Sequence, residues 1–127
     1  MIDTIKESIA TAFLRALRDK DWDAMRQLMS DDITWSLPGS ATISGLSKGL
    51  DATIMKAQTI VSYSVTFTLL HLLEGEHGFA LSLHNTAERD GLKLDEFLST
   101  VCALERGRIV SITTYLSDVP MMNAFFV

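Results

Sequence analysis

Several features that would assign this chain to a specialised class are scarce among its 127 residues. There is one cysteine, Cys102, which excludes an internal disulfide and a cysteine-based metal site. Seven glycines and two prolines are too few for a linker or a collagen-like repeat. The net charge is −5 and no Lys/Arg cluster is present, which argues against a nucleic-acid partner because phosphate recognition needs a basic face.

Long apolar runs are also missing. The richest stretch, 65–73, contains His71 and two threonines, and nothing approaches the roughly eighteen apolar residues of a membrane helix. The first residues, 1–7, lack the basic and apolar blocks of a secretory signal. We therefore expect a soluble, cytoplasmic protein with no membrane partner.

Hydrophobic residues make up 47% of the chain, which is enough for one packed domain spanning 1–127. Apolar residues at helical spacing predict helices over 4–17, 21–29 and 50–61, with Thr4 and Glu7 at capping-box spacing. Alternation predicts a short strand over 33–37. Four longer strands follow at 64–74, 77–89, 92–105 and 108–117, and a last helical turn at 121–126. Helices followed by an antiparallel meander indicate the α+β class.

Three glycine-containing pairs, Gly75-Glu76, Asp90-Gly91 and Arg106-Gly107, predict two-residue hairpin turns. Such turns fix the strand register, and the register decides which side chains share a face. One predicted face is apolar with a central polar row, and its members include Phe67, Ser82, His84, Asp95, Phe97, Ser99, Thr114 and Leu116. An apolar concavity with a few polar groups is typical of a small-molecule site. The second face is also apolar, which predicts a homodimer.

Two groups of short motifs resemble the SnoaL-like family of the nuclear transport factor 2 superfamily. The first is Trp35-Ser36-Leu37-Pro38-Gly39, followed by Ser44-Gly45 and the segment 48–52; the second is 85–91 with the turn at 105–110. The resemblance implies a cone-shaped, strongly bent antiparallel sheet packed on N-terminal helices, commonly in a dimer. Members include ketosteroid isomerases, polyketide cyclases, epoxide hydrolases, dehydratases and non-catalytic domains.

The resemblance also allows the catalytic positions of family members to be compared with the residues of this chain. The three ketosteroid isomerase positions correspond to Phe13, Leu37 and Ser99, which cannot supply its tyrosine and two acids. The epoxide hydrolase positions fall near Ser82, His84 and Thr114, which do not reproduce its Asp-Arg-Asp group. Cyclases of the family use a strand histidine and an aspartate, for which the chain offers His84 and Asp95.

The resulting prediction is a small acid–base enzyme without cofactor or metal. It would isomerise, cyclise or dehydrate an apolar oxygenated ring compound such as a polyketide, steroid or terpenoid. His84 would transfer protons and Asp95 would orient it. The predicted substrate-binding residues are Trp35, Tyr63, Phe67, Ser82, Phe97, Ser99, Thr114 and Leu116. The alternative is a non-catalytic ligand-binding or assembly domain with the same cavity. The segment 121–126 is open to interpretation as a lid or as a dimer contact.

Overall fold

The computed structural model describes residues 2–127, and these form four helices and six strands. The helices are α1 (Thr4–Asp19), α2 (Trp22–Gln27), α3 (Leu50–Ser62) and α4 (Val119–Phe125). The strands are β1 (Met29–Leu37), β2 (Gly45–Lys48), β3 (Thr66–Gly75), β4 (Gly78–Arg89), β5 (Leu92–Glu105) and β6 (Arg108–Leu116).

Aspartates begin three of the helices, because their carboxylates accept hydrogen bonds from backbone N–H groups that have no partner within the helix. Asp3 accepts from Ile5 and Lys6 at the start of α1, so the cap lies one residue before the predicted Thr4. Asp21 caps α2 as its sequence position predicts. Asp118 caps α4, whose first turn contains Pro120.

The six strands form one strongly curved sheet in the order β2-β1-β6-β5-β4-β3, with the N-terminal helices packed against it. This confirms the predicted α+β class and cone-like architecture. The sheet is mixed, because β1 and β6 run parallel while the other neighbours are antiparallel. The short strand β2 lies in a segment that the sequence predicts as a loop.

Two of the three predicted turns are confirmed. Asp90-Gly91 and Arg106-Gly107 have positive φ at both positions, as a tight hairpin turn of this type requires. The third prediction was wrong: Gly75 pairs with Gly78, so the turn is Glu76-His77. The glycine at position 78 is needed for close approach, because a Cβ there would lie 1.9 Å from the carbonyl oxygen of Cys102.

Two bulges change the predicted register. In β3 the pairing shifts between Leu69 and His71, and in the β5–β6 pair it shifts at Ala103 and Leu104, across from Val110. Each bulge adds one residue on one strand, so the side chains beyond it, counted from the hairpin turn, point to the face opposite to the one that the predicted register gives them. The β4–β5 pairing is as predicted, with Ser82 opposite Ser99 and His84 opposite Phe97.

The glycine at the start of β4 provides a test of this close approach. Gly78→Ala should destabilise the fold by about 2 kcal/mol or more, because the added methyl group overlaps the backbone of Cys102. Gly75→Ala is the matched control, since the nearest atom to its Cβ would lie at 3.7 Å and its φ is not positive. Urea denaturation of both variants measures the difference, and equal losses of stability would contradict the register at Gly78.

Candidate functional site

The concave face of the sheet and the helices enclose an apolar cavity. Its volume is about 60 Å³, measured as the space open to the centre of a water molecule. Since a water needs roughly 10–15 Å³ on this measure, the cavity has room for a few waters or one small ring. The lining is contributed by α1, α3, α4, the loop before β2 and five strands: Phe13, Leu14, Leu17, Trp35, Leu37, Ile43, Ile60, Phe67, Leu83, Asn85, Leu94, Glu96, Leu98, Thr100, Thr114, Leu116, Met122 and Phe126.

Glu96 is the one ionisable side chain of this lining among residues 2–127, and it is only 1% exposed. One carboxylate oxygen, Oε1, accepts hydrogen bonds from the Asp118 N–H at 2.6 Å and from the Ser117 hydroxyl at 3.1 Å. The Ser117 oxygen in turn accepts from the Phe97 N–H at 2.9 Å. The backbone N–H therefore fixes the direction of the hydroxyl, and the hydroxyl fixes the orientation of the carboxyl group.

The second oxygen, Oε2, is buried and has no hydrogen-bond partner within the described chain. Burial raises the pKa of Glu96, because a charged carboxylate is poorly solvated there; the hydrogen bonds from Asp118 and Ser117 oppose this shift without cancelling it. When Glu96 is protonated, the proton resides on Oε2, since Oε1 already faces two donors. The group can therefore exchange a proton or a hydrogen bond with a molecule in the cavity.

Asn85 lies directly opposite Glu96 in the β4–β5 pair, so their side chains are neighbours on the concave face. Asn85 is 8% exposed, and its Oδ1 also lacks a partner in the part of the chain that the structure describes. Buried polar atoms are normally hydrogen-bonded, so two orphan acceptors side by side are unusual. They mark this position as the polar centre of an otherwise apolar cavity.

Trp35 and two threonines form a second polar group in the wall. The Trp35 indole N–H donates to the Thr114 hydroxyl at 3.1 Å, and the Thr100 and Thr114 oxygens are 3.5 Å apart. Below the tryptophan, the buried Lys56 ammonium donates to the carbonyl oxygens of Trp35 and Gly45, at 3.0 Å each. Burial lowers the pKa of Lys56. This lysine links α3 to β1 and β2 and is not part of the cavity lining.

The C-terminal helix covers the cavity. Met122 and Phe126 contribute to the lining. Tyr63 donates from its hydroxyl to the Val127 carbonyl at 2.6 Å, and its ring packs on Phe125 and Phe126. Arg89 donates to the Phe125 carbonyl and lies over the Tyr63 and Phe125 rings. Within this chain the segment 121–126 therefore has the position of a lid, one of the two interpretations that the sequence leaves open.

A family comparison agrees with this geometry: residues 10–112 match the SnoaL-like domain family. The chain belongs to the SnoaL-like family. No curated protein matches it. Among solved structures, Bal32a from a soil-derived mobile gene cassette is similar over 98% of this chain and 100% of its own, at 24% identity and a TM-score of 0.87.

Two further structures similar to this SnoaL-like domain were solved with, or designed for, a named ligand. RV0760c from Mycobacterium tuberculosis, in complex with estradiol-17beta-hemisuccinate, matches 89% of this chain and 94% of its own at 19% identity and a TM-score of 0.74. A computationally designed 17-OHP binder matches 94% and 95% at 20% identity, with a TM-score of 0.77. At these identities the likeness establishes the fold alone.

No helix within residues 2–127 of this SnoaL-like domain is long and apolar enough to cross a membrane.

Only some of the residues that the sequence assigns to the site line the cavity. Trp35, Phe67, Thr114 and Leu116 line the cavity. Tyr63 does not line the cavity, and its hydroxyl donates to the carbonyl of Val127 in the chain's own C-terminal segment. The predicted placement of five others on the cavity face was wrong: Ser82, His84, Asp95, Phe97 and Ser99 alternate with the lining residues of β4 and β5 and therefore lie on the outer face. The cause is the pair of bulges, which reverse the faces of β3 and β6 relative to the predicted register.

The contact predicted between His84 and Asp95 does form, although on the outer face. Nε2 of His84 is 2.5 Å from Oδ1 of Asp95, and the imidazole stacks on the Phe97 ring at 4.3 Å between centroids. Because the Asp95 side chain is 68% exposed, the pair is open to solvent. Neither group lines the cavity, so the geometry gives no support for their predicted roles as acid and orienter inside the cone.

Asn85, Glu96 and Thr100 are the polar lining residues that sequence reasoning missed. A signal for them exists in β4 and β5 themselves. The row containing Phe79, Leu81 and Leu83 is far more apolar than the row containing Ser82 and His84. This contrast identifies the core face without the turn-derived register across all four strands. It would place Glu96 inside, as an isolated buried acid.

The raised pKa of Glu96 has a definite consequence for the pH dependence of stability. Because the folded chain holds this proton more tightly than the unfolded chain, its contribution to the free energy of unfolding is full below the unfolded pKa. The contribution is lost as pH rises through the folded pKa. Glu96→Gln cannot ionise and should lack this loss. The stability of the wild type relative to the variant should therefore fall as pH rises from the ordinary glutamate pKa into the neutral range, by about 1.4 kcal/mol for each unit between the two pKa values.

Urea denaturation across that range measures this difference. Glu88→Gln is the matched control, because Glu88 is an exposed carboxylate on β4 and the same chemical change there should leave the pH dependence as it is. A wild type whose stability relative to Glu96→Gln is independent of pH, or rises with it, would show that Glu96 does not hold its proton in the folded state.

Proposed function

We propose that this SnoaL-like domain binds a small apolar molecule in its cone, with the polar group of that molecule at Glu96 and Asn85. The observation that carries the proposal is the buried Glu96 carboxyl. Its Oε1 is held by Ser117 and Asp118, while its Oε2 has no partner among the described residues. A polar centre of this kind in an apolar cavity is the usual form of a ligand site. The apolar wall supplies affinity, and the polar group fixes the orientation of the ligand.

The structural neighbours support the class of ligand. RV0760c was solved in complex with estradiol-17beta-hemisuccinate and the designed protein is a 17-OHP binder, so two proteins of this fold take ligands of the steroid class. The cavity here is smaller, at about 60 Å³. A single ring fits it directly, whereas a steroid-sized molecule requires displacement of Met122 or Phe126 from the lid.

A second function, acid–base catalysis, is favoured by the raised pKa of Glu96. A carboxyl with a raised pKa in an apolar site can donate a proton to a bound substrate and accept one back, as isomerases and dehydratases require. The same group would have to serve as acid and as base, because no second ionisable side chain lines the cavity within residues 2–127. This is the predicted acid–base enzyme with its proton-transfer group moved from His84 to Glu96.

One set of samples tests binding and catalysis together. Single-ring alcohols, ketones and amines, with steroids for comparison, are titrated into isotope-labelled protein in H₂O, and a parallel sample of each mixture is kept in D₂O. Compounds that bind should shift the amide resonances of cavity residues. The Glu96→Gln substitution should weaken the affinity of these compounds by about threefold or more, because one hydrogen bond to the carboxyl group is altered. Glu88→Gln should bind as the wild type does. Ligands that shift only outer-face amides would contradict the proposed site.

Deuterium entering a C–H position of a bound compound would identify catalysis. We expect Glu96→Gln to slow that exchange by about a hundredfold or more if Glu96 transfers the proton. Compounds that bind in the cavity without any exchange would leave the domain with a binding function alone. Exchange that persists in Glu96→Gln would contradict the catalytic role of Glu96.

We also propose that the domain forms a homodimer through the outer face of the sheet. Support comes from large apolar side chains that are exposed there: Phe97 is 52% exposed and Tyr115 63%. Burying such a patch against a second copy removes apolar surface from water. The single cysteine is a free thiol, as is usual in a reducing compartment, and this supports a cytoplasmic location within the same proposal.

The dimer has a direct test by sedimentation or light scattering. Phe97→Asp should shift the protein towards monomer, because a carboxylate would be placed in the apolar interface. Met55→Asp is the matched control: Met55 is 65% exposed but lies on α3, on the helical side of the sheet. A wild type that is monomeric at micromolar concentration, or a Met55→Asp variant that dissociates as readily, would contradict this interface.

A further inference from the structure

The charge of the cavity is unbalanced. Glu96 is the single ionisable group of its lining among the described residues, and no Lys, Arg or His contributes to that lining. The four ion pairs found within residues 2–127 do not include Glu96. The buried Lys56 ammonium is committed to the carbonyls of Trp35 and Gly45. An anionic ligand would therefore find no cation in this lining, and it would meet a like charge whenever Glu96 is ionised.

The polar centre also has more hydrogen-bond acceptors than donors. When Glu96 is ionised, its Oε2 and the Oδ1 of Asn85 are two buried acceptors without donors in the described chain, on directly paired positions. A hydroxyl group carries one proton to donate and can satisfy one of them. An ammonium group carries several and can satisfy both at once.

Phe13, Trp35, Phe67 and Phe126 line the cavity and would surround the apolar part of a ligand. The Glu96 carboxylate and the two orphan acceptors thus both favour positive charge at the polar centre.

We propose that the cavity takes the ammonium group of a small apolar amine, with Glu96 as its counter-ion and Asn85 as the second acceptor. This inference rests on the proposed binding function and specifies its ligand. The volume of about 60 Å³ limits the apolar part to about one ring. Neutral alcohols of the same shape are weaker ligands, and carboxylates are excluded.

Three probes of nearly identical shape test the inference: benzylamine, benzyl alcohol and benzoate, titrated into the full chain and followed by amide resonances. We expect benzylamine to bind about tenfold or more tightly than benzyl alcohol, and benzoate not to bind. Glu96→Gln should weaken benzylamine by about tenfold or more while weakening benzyl alcohol by only about threefold. The matched surface change, Glu88→Gln, should leave all three affinities as they are.

The outcomes separate this inference from the proposed function. Benzyl alcohol binding in the cavity as tightly as benzylamine, or benzylamine binding unchanged in Glu96→Gln, overturns the amine assignment and leaves the ligand site in place. Failure of every probe to shift cavity resonances overturns both. Asn85→Leu provides the same comparison if Glu96→Gln does not fold, because removal of the second acceptor should weaken benzylamine more than benzyl alcohol.

Discussion

The alternation of side chains along curved strands is the constraint on which the rest of this structure depends. Helices cover one face of the sheet, so each strand must present its apolar row to that face. Strands β4 and β5 do so in the register set by their Asp90-Gly91 turn. Strands β3 and β6 reach it through bulges near Leu70 and Val110, which turn Phe67 and Thr114 inward. The bulges also bend the sheet and so help to form the cavity.

Burial of a carboxyl group in that cavity is unfavourable unless the structure compensates for it. Here the compensation comes from the junction of β6 and α4, where Asp118 and Ser117 donate to Glu96. Asp118 also caps α4, so one junction holds both the acid and the lid above it. The Oε2 atom of Glu96, which has no partner among the described residues, then remains as the polar centre of the site. A ligand that donates a hydrogen bond to it would offset the rest of the unfavourable burial of the carboxyl group.

The outer face shows how a correct local inference can be attached to the wrong surface. The proximity of His84 and Asp95 follows from the β4–β5 register and is confirmed. Their assignment to the cavity depended on extending the register across two further hairpins without bulges. Since one extra residue reverses a strand, an error of one position in each neighbour moved the pair from the outside to the inside of the predicted cone.

The sequence by itself determined the helices, four of the six strands to within a few residues, two hairpin turns and the family. These follow from local periodicity, Asp caps and Gly turns, which act over a few residues. It also identified Trp35, Phe67, Thr114 and Leu116, which lie in the cavity wall. The apolar contrast between the two rows of β4 and β5 conflicts with the turn-derived register, and only the tertiary structure decided between them, with Glu96 as the buried acid. Bulges, and the close approach that requires Gly78, arise from packing between distant segments, and that packing leaves no mark in local sequence patterns.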